Sequence, residues 1–245
     1  MNIVERNIKL IHERILQACA HSGRNPEEVK LLLATKTVPC ERIQLAIDLG
    51  ETLIGENKVQ EIQDKYPMLK HNPVEWHFIG HLQTNKVKDV LKYATMIQSV
   101  DRMKLAKALH DQLKKENRSI DILVQVNTSY EESKFGIQPE HTLEFIEQIS
   151  ELDTLKIKGL MTIGKFSADR HEVRKCFRLL KSIQKQAERK ALPHVEMEIL
   201  SMGMSGDLEI ALEEGATMIR VGTAIFGERI YPDSYYWNEQ LPVSD

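Results

Sequence analysis

One lysine closes an otherwise apolar run, Leu31-Leu32-Leu33-Ala34-Thr35-Lys36. A charge at the end of a buried segment is costly unless it is paired or used. A desolvated amine gives up its proton more readily and then attacks carbonyl carbons. Two other stretches suit an anion. Ser201-Met202-Gly203-Met204-Ser205-Gly206 offers hydroxyls and flexible backbone just before a helical pattern. Arg220-Val221-Gly222-Thr223 offers a small residue, a hydroxyl and the start of another helix. Free amides at such starts bind anions. The plainer alternatives are a lysine snorkelling to solvent and glycines that only make tight turns.

These residues can act together only if the fold gathers them. The first segment repeats Val4, Ile8, Ile11, Ile15 and Ala18 at helical spacing and ends near Ser22-Gly23. From there short apolar runs alternate with helical patterns. The runs cover residues 29–34, 52–54, 75–79, 96–100, 120–126, 155–161, 197–200 and 217–221. Such alternation predicts a parallel sheet with crossover helices. Eight strands suffice to close a barrel, so the expected fold is α/β, a single (β/α)8 TIM barrel with an extra N-terminal helix. A doubly wound open sheet is the alternative. The barrel is expected over residues 1–231, with a C-terminal tail over 232–245. Residues 127–138 form the longest expected loop, polar enough to move.

Closure places the eighth strand beside the first and the seventh next in line. Active sites in this fold sit at the C-terminal strand ends, and phosphates commonly bind after strands seven and eight. Lys36 and both anion-suited loops should therefore share one mouth. A reactive amine beside a phosphate site points to a phosphorylated aldehyde or ketone. Bound pyridoxal phosphate and the substrate of a Schiff-base aldolase both answer that description. Arg220 favours the first. An arginine keeps its charge, so opposite a pyridine nitrogen it donates a hydrogen bond and discourages protonation there. A phosphate clamp or a structural ion pair is its other reading.

Composition narrows the partners. The chain has 245 residues, 28% charged and 42% hydrophobic, with a net charge of −3. That balance gives no general attraction to nucleic acid or anionic membrane. No apolar run approaches the roughly 20 residues that span a bilayer. The start of the chain mixes Glu5, Arg6, Lys9, Glu13 and Arg14, unlike a signal peptide. Cys19, Cys40 and Cys176 are odd in number and widely spaced, suggesting neither a disulfide framework nor a metal site. A reducing cytoplasm is the expected location.

The motifs then resemble a known family. Leu33-Ala34-Thr35-Lys36-Thr37, Gly55-Glu56-Asn57-Lys58-Val59-Gln60-Glu61 and Trp76-His77-Phe78-Ile79-Gly80-His81-Leu82-Gln83 are similar to the pyridoxal phosphate homeostasis proteins (YggS/PROSC-like). So are Gly159-Leu160-Met161, Ser201-Met202-Gly203-Met204-Ser205, and the run from Arg220 to Gly227. The resemblance implies the barrel of alanine racemase-like, fold type III proteins. It implies a Schiff base to pyridoxal 5′-phosphate on Lys36, phosphate contacts from Ser201, Gly222 and Thr223, and Arg220 facing the pyridine nitrogen. It places Asn57 near the ring. His77 and Asn127 are weaker candidates, as a packed core histidine and a turn residue respectively. The chain departs from many bacterial members at Val38, where they carry a second lysine.

The resemblance further implies a role in intracellular vitamin B6 homeostasis without established catalysis. The alternative is an amino-acid racemase or decarboxylase-like enzyme. A racemase needs an acid/base group on each face of the substrate carbon. In racemase-like enzymes the second comes from a β-rich domain, for which few residues remain after strand eight. A non-catalytic monomer is therefore expected, with pyridoxal phosphate-dependent apoenzymes as recipients of the cofactor.

Overall fold

The computed structural model describes residues 2–227. The tail expected over 232–245 lies outside them, as does the end of the barrel assignment at 231. Eight parallel strands pair in sequence order and close on themselves. They are β1 (Lys30–Ala34), β2 (Leu53–Glu56), β3 (Glu75–Phe78), β4 (Met96–Val100), β5 (Ile120–Gln125), β6 (Leu155–Met161), β7 (Val195–Ser201) and β8 (Met218–Val221). Helix α1 (Ile3–Ser22) precedes them. Each strand is followed by a helix: α2 (Cys40–Ile47), α3 (Val59–Leu69), α4 (Val87–Val90), α5 (Met103–Lys115), α6 (Thr142–Ser150), α7 (Arg170–Arg189), α8 (Leu208–Glu213) and α9 (Thr223–Phe226). The closed barrel, and not the open sheet, is the architecture.

Strand alternation sorts side chains into two layers. Leu31 and Leu33 join the large core between strands and helices. Leu32 turns the other way, against Gly55 of β2. Met96, Leu123 and Met161 form a separate small cluster, with Ile163 and Ile199 against it. The helices bury one stripe each, as in α7, where Val173, Phe177, Leu180 and Ala187 face the strands. Val38 is buried in that same outer core, so this chain uses the position for packing.

The loop expected over 127–138 carries bonds of its own. The Asn127 side chain donates to the carbonyls of Glu131 and Lys134 at 2.9 and 3.1 Å. Its backbone N–H donates to the Ile137 carbonyl, and Val126 bridges Ile137. Thr128, Tyr130 and Lys134 bond outside the loop, to Thr162, Glu140 and the Gly164 carbonyl. No helix among the described residues is long and apolar enough to cross a membrane. Among those residues no group of His, Cys, Asp or Glu is placed to hold a metal, and all three cysteines are free and buried.

Candidate functional site

Pairing of β1 with both β8 and β2 assembles the mouth. The β1–β8 register ends at Leu33 opposite Val221, and Ala34 pairs with Gly55. A Cβ on Gly222 would lie 2.8 Å from the Ala34 carbonyl oxygen and 3.4 Å from its Cβ. Glycine is thus required where the loop after β8 crosses the end of β1. Lys36 follows two residues later, half-buried in a turn. Thr35 points outward and is buried, so the alternation of β1, carried one residue further, assigns Lys36 to the side of Leu32 and Ala34. On the other flank, a Cβ on Gly80 would lie 2.2 Å from the Asn57 carbonyl oxygen, so the loop after β3 presses directly on Asn57. Asn57 is itself half-buried beside the end of β2.

The loops after β7 and β8 meet at hydroxyls. Ser205 Oγ accepts from the Ala224 N–H and from Thr223 Oγ1, both at 3.3 Å. Helix α1 braces this contact from outside. Arg14 donates to the Ser205 carbonyl at 3.0 Å and pairs with Glu209, while Asn7 donates to the Ile225 carbonyl at 3.0 Å. Met204 N–H donates to Asp207 at 2.6 Å, which tightens the turn further.

Beneath the mouth a polar belt crosses the barrel interior. Arg220 donates to Ser201 Oγ at 2.7 Å and to the Thr162 carbonyl at 2.8 Å. Ser201 Oγ donates to Gln98 Oε1 at 2.7 Å, and Gln98 Nε2 donates to His77 Nδ1 at 2.8 Å. Side chains from β3, β4, β7 and β8 therefore meet inside the barrel. Arg220 is fully desolvated, which pulls its pKa down to about 10, with Asp207 opposing the fall. It stays cationic at neutral pH. Among the described residues no carboxylate lies within salt-bridge distance of it. The barrel thus holds a buried positive charge fixed by neutral acceptors, a setting that favours an anion or a lone pair close by.

His77 is also buried, and desolvation lowers its pKa to about 3. It accepts from Gln98 and is held neutral, in accord with a packed core histidine. The unfolded chain takes up a proton near the ordinary value of 6.5, the folded chain only near 3. This contribution to stability is complete above pH 6.5 and falls away as pH drops, at about 1.4 kcal/mol per pH unit. His77→Gln is expected to flatten the unfolding free energy between pH 6.5 and about 4 by close to one proton. Denaturant titrations across that window measure it. Unchanged slopes would show that His77 titrates inside the fold.

Of the six residues singled out in the sequence, Lys36, Gly222 and Thr223 gather where β1 and β8 end. Ser201 and Arg220 lie in the belt below, bonded to each other, and Asn57 stands on the β2 flank. Asn127 serves its own loop. Gln98 and Thr162 complete the belt and were not singled out, whereas Ser205 belongs to the hydroxyl-bearing stretch already marked as suited to an anion. Gln98 had a signal, an amide within the wholly buried strand β4.

Residues 11–230 match the alanine racemase N-terminal domain family. The pyridoxal phosphate homeostasis protein of Aquifex aeolicus is 45% identical over 94% of this chain and all of its own length. The protein of that name from Pasteurella multocida is 40% identical over 93% of this chain and 98% of its own. The chain belongs to the pyridoxal phosphate homeostasis protein family. A solved structure of one similar protein, PipY of Synechococcus elongatus, has pyridoxal phosphate bound. It superimposes with a TM-score of 0.80 at 31% identity, over 92% of this chain and all of that one. An alanine racemase of Clostridium difficile aligns with a TM-score of 0.72 at 14% identity, over 95% of this chain but 57% of the racemase. That likeness speaks for the barrel alone.

Proposed function

We propose that this homeostasis-family chain binds pyridoxal 5′-phosphate at the β1–β8 mouth, linked as a Schiff base to Lys36, and serves intracellular vitamin B6 balance without a turnover reaction of its own. The observation that carries this reading is the convergence at Ala34. One strand end presents the lysine, and the loop crossing it presents Gly222, Thr223 and, through Ser205, a second hydroxyl. The residues fit the cofactor. The absent side chain at Gly222 lets the loop lie directly on Ala34, beside Lys36, and hydroxyl and amide donors suit a phosphate. When bound, the cofactor would supply an aldehyde, which the Lys36 amine would hold as a Schiff base with loss of water.

The chain's own groups do the rest. Gly222, Thr223 and Ser205 hold the anion. Arg220, fixed by Ser201 and Thr162, faces the ring nitrogen as a hydrogen-bond donor that cannot readily release its proton. A ring held unprotonated is a weak electron sink, which suits storage over catalysis. Asn57 borders the ring. The names of the curated relatives support a homeostatic role. A cytoplasmic monomer that passes cofactor to apoenzymes fits this reading.

The test uses purified chain incubated with pyridoxal phosphate, then borohydride. The expected result is a visible absorption band that reduction abolishes, with a single pyridoxyl mass on Lys36. A chain that takes up no cofactor would overturn the proposal. Assays of amino-acid racemisation and decarboxylation are expected to show no turnover at enzyme-like rates, whereas about 1 s⁻¹ or more on any amino acid would make the chain an enzyme.

A further inference from the structure

Lys36 lies between two residues held by one charge cluster, buried at Glu56 and Lys65 and open to solvent at Glu61 and Thr37. On its N-terminal side, Thr35 Oγ1 donates to Glu56 Oε1 at 2.6 Å, and the Thr35 carbonyl accepts from Lys65 Nζ at 2.8 Å. On its C-terminal side, the Thr37 N–H donates to Glu61 Oε2 at 2.6 Å. Lys65 Nζ joins the two arms, donating to Glu56 at 2.7 Å and Glu61 at 2.9 Å. Glu56 is completely buried, and its Oε2 has no hydrogen-bond partner. The cluster sits outside the barrel wall, under α3, where the surrounding packing is apolar.

Such a cluster is a poor source of stability, since well-packed apolar residues usually serve as well or better. It does supply directional bonds, and here they fall on the residues immediately before and after Lys36. The backbone they hold is an unfavourable one. Thr37 has φ of 64°, in the left-handed region, where a β-branched residue is strained. Without its bond to Glu61 the turn has reason to relax, and the amine would swing with it. The spacing serves this purpose: Glu61 and Lys65 are four apart on α3 and so share one face.

We propose that Glu61 and Lys65 are positioning residues for Lys36, clamping Thr35 and Thr37 so that the amine stays aimed into the mouth. This rests on the reading of Lys36 as the cofactor-linking residue. Aiming a nucleophile governs how fast a bond forms, and contributes little to how tightly the rest of the ligand is held.

The experiment measures two quantities on the full chain: the first-order rate of adduct formation at saturating pyridoxal phosphate, and the affinity for pyridoxamine phosphate. The latter has the ring and phosphate but no aldehyde. Glu61→Ala is expected to slow adduct formation by about tenfold or more while leaving pyridoxamine phosphate affinity within about twofold. Lys65→Met is expected to act in the same direction. Glu61→Gln keeps an oxygen that accepts from Thr37, and is expected to keep the rate within about threefold of the parent. An unchanged rate in Glu61→Ala would overturn the proposal. So would an equal loss of rate and pyridoxamine phosphate affinity, which marks a general structural role. A parent chain that forms no adduct would instead sink the reading of Lys36 itself.

Discussion

Lys36→Ala is expected to abolish the borohydride-stable pyridoxyl label while leaving cofactor binding that inorganic phosphate still competes away. The two effects separate because they arise on different parts of the mouth. The label needs an amine, and Lys36 is the lysine that follows β1 two residues beyond the Gly222 crossing at Ala34. The proposed phosphate contacts come from the loops after β7 and β8, which Arg14 and Asn7 of α1 brace. None of those bonds involves the Lys36 side chain. Affinity should therefore fall by about tenfold or more, with the remainder supplied by phosphate and ring contacts. The substitution is at a half-buried turn, and stability should stay within about 0.5 kcal/mol of the parent. Equilibrium titration with mass analysis after reduction decides the matter. A label that persists at another residue would show that the tether has been misplaced.

Gly222→Val should do comparable damage from the other strand. Its φ of −123° and ψ of −74° lie outside the main α and β regions, so the backbone already resists a β-branched residue. Space adds to the cost. The new Cβ would sit 2.8 Å from the Ala34 carbonyl oxygen, and the branching methyls would have nowhere to go but the cradle. Relief requires pushing apart the ends of β1 and β8, which carry the amine and the anion donors respectively. A single substitution thereby spoils both halves of the site. We expect cofactor affinity to drop at least about 100-fold, equivalent to roughly 2.7 kcal/mol. The fold should persist, since the barrel wall below is unaltered, and circular dichroism will monitor it. A loss under about threefold would mean the cofactor does not use this crossing.

The barrel was readable because both its periodicities are strong. Runs such as Leu31-Leu32-Leu33 and Leu123-Val124 are short and apolar, as in strands buried on two faces, and α7 repeats its apolar stripe from Val173 to Ala187, over about four turns. Lys36, Gly222 and Thr223 were readable because a polar or small residue stands at the end of such a run. The polar belt was less so. Gln98 reaches across the barrel to Ser201, 103 residues away in sequence, and neither local pattern nor spacing signals that bond. The clamp under Lys36 is similar. Glu56, Glu61 and Lys65 read as ordinary charges at a strand end and on a helix surface, and only the packing of α3 turns them inward. At residues 127–138 polarity marked a loop without showing which partners its polar atoms take. Periodicity reports which face is buried; it does not report which buried polar atoms find each other.

Bracing of the mouth by α1 has a consequence for the order of events in synthesis. Arg14 meets Ser205 and Glu209 across some 190 residues of chain, and Asn7 meets Ile225 across 218. The amine emerges from the ribosome early, whereas the cradle and its brace need the last strand. A nascent chain would carry a lysine with nothing to hold a phosphate beside it. Ligand capture then becomes a property of the finished protein alone, and ring closure between first and last strands doubles as the step that makes the chain competent.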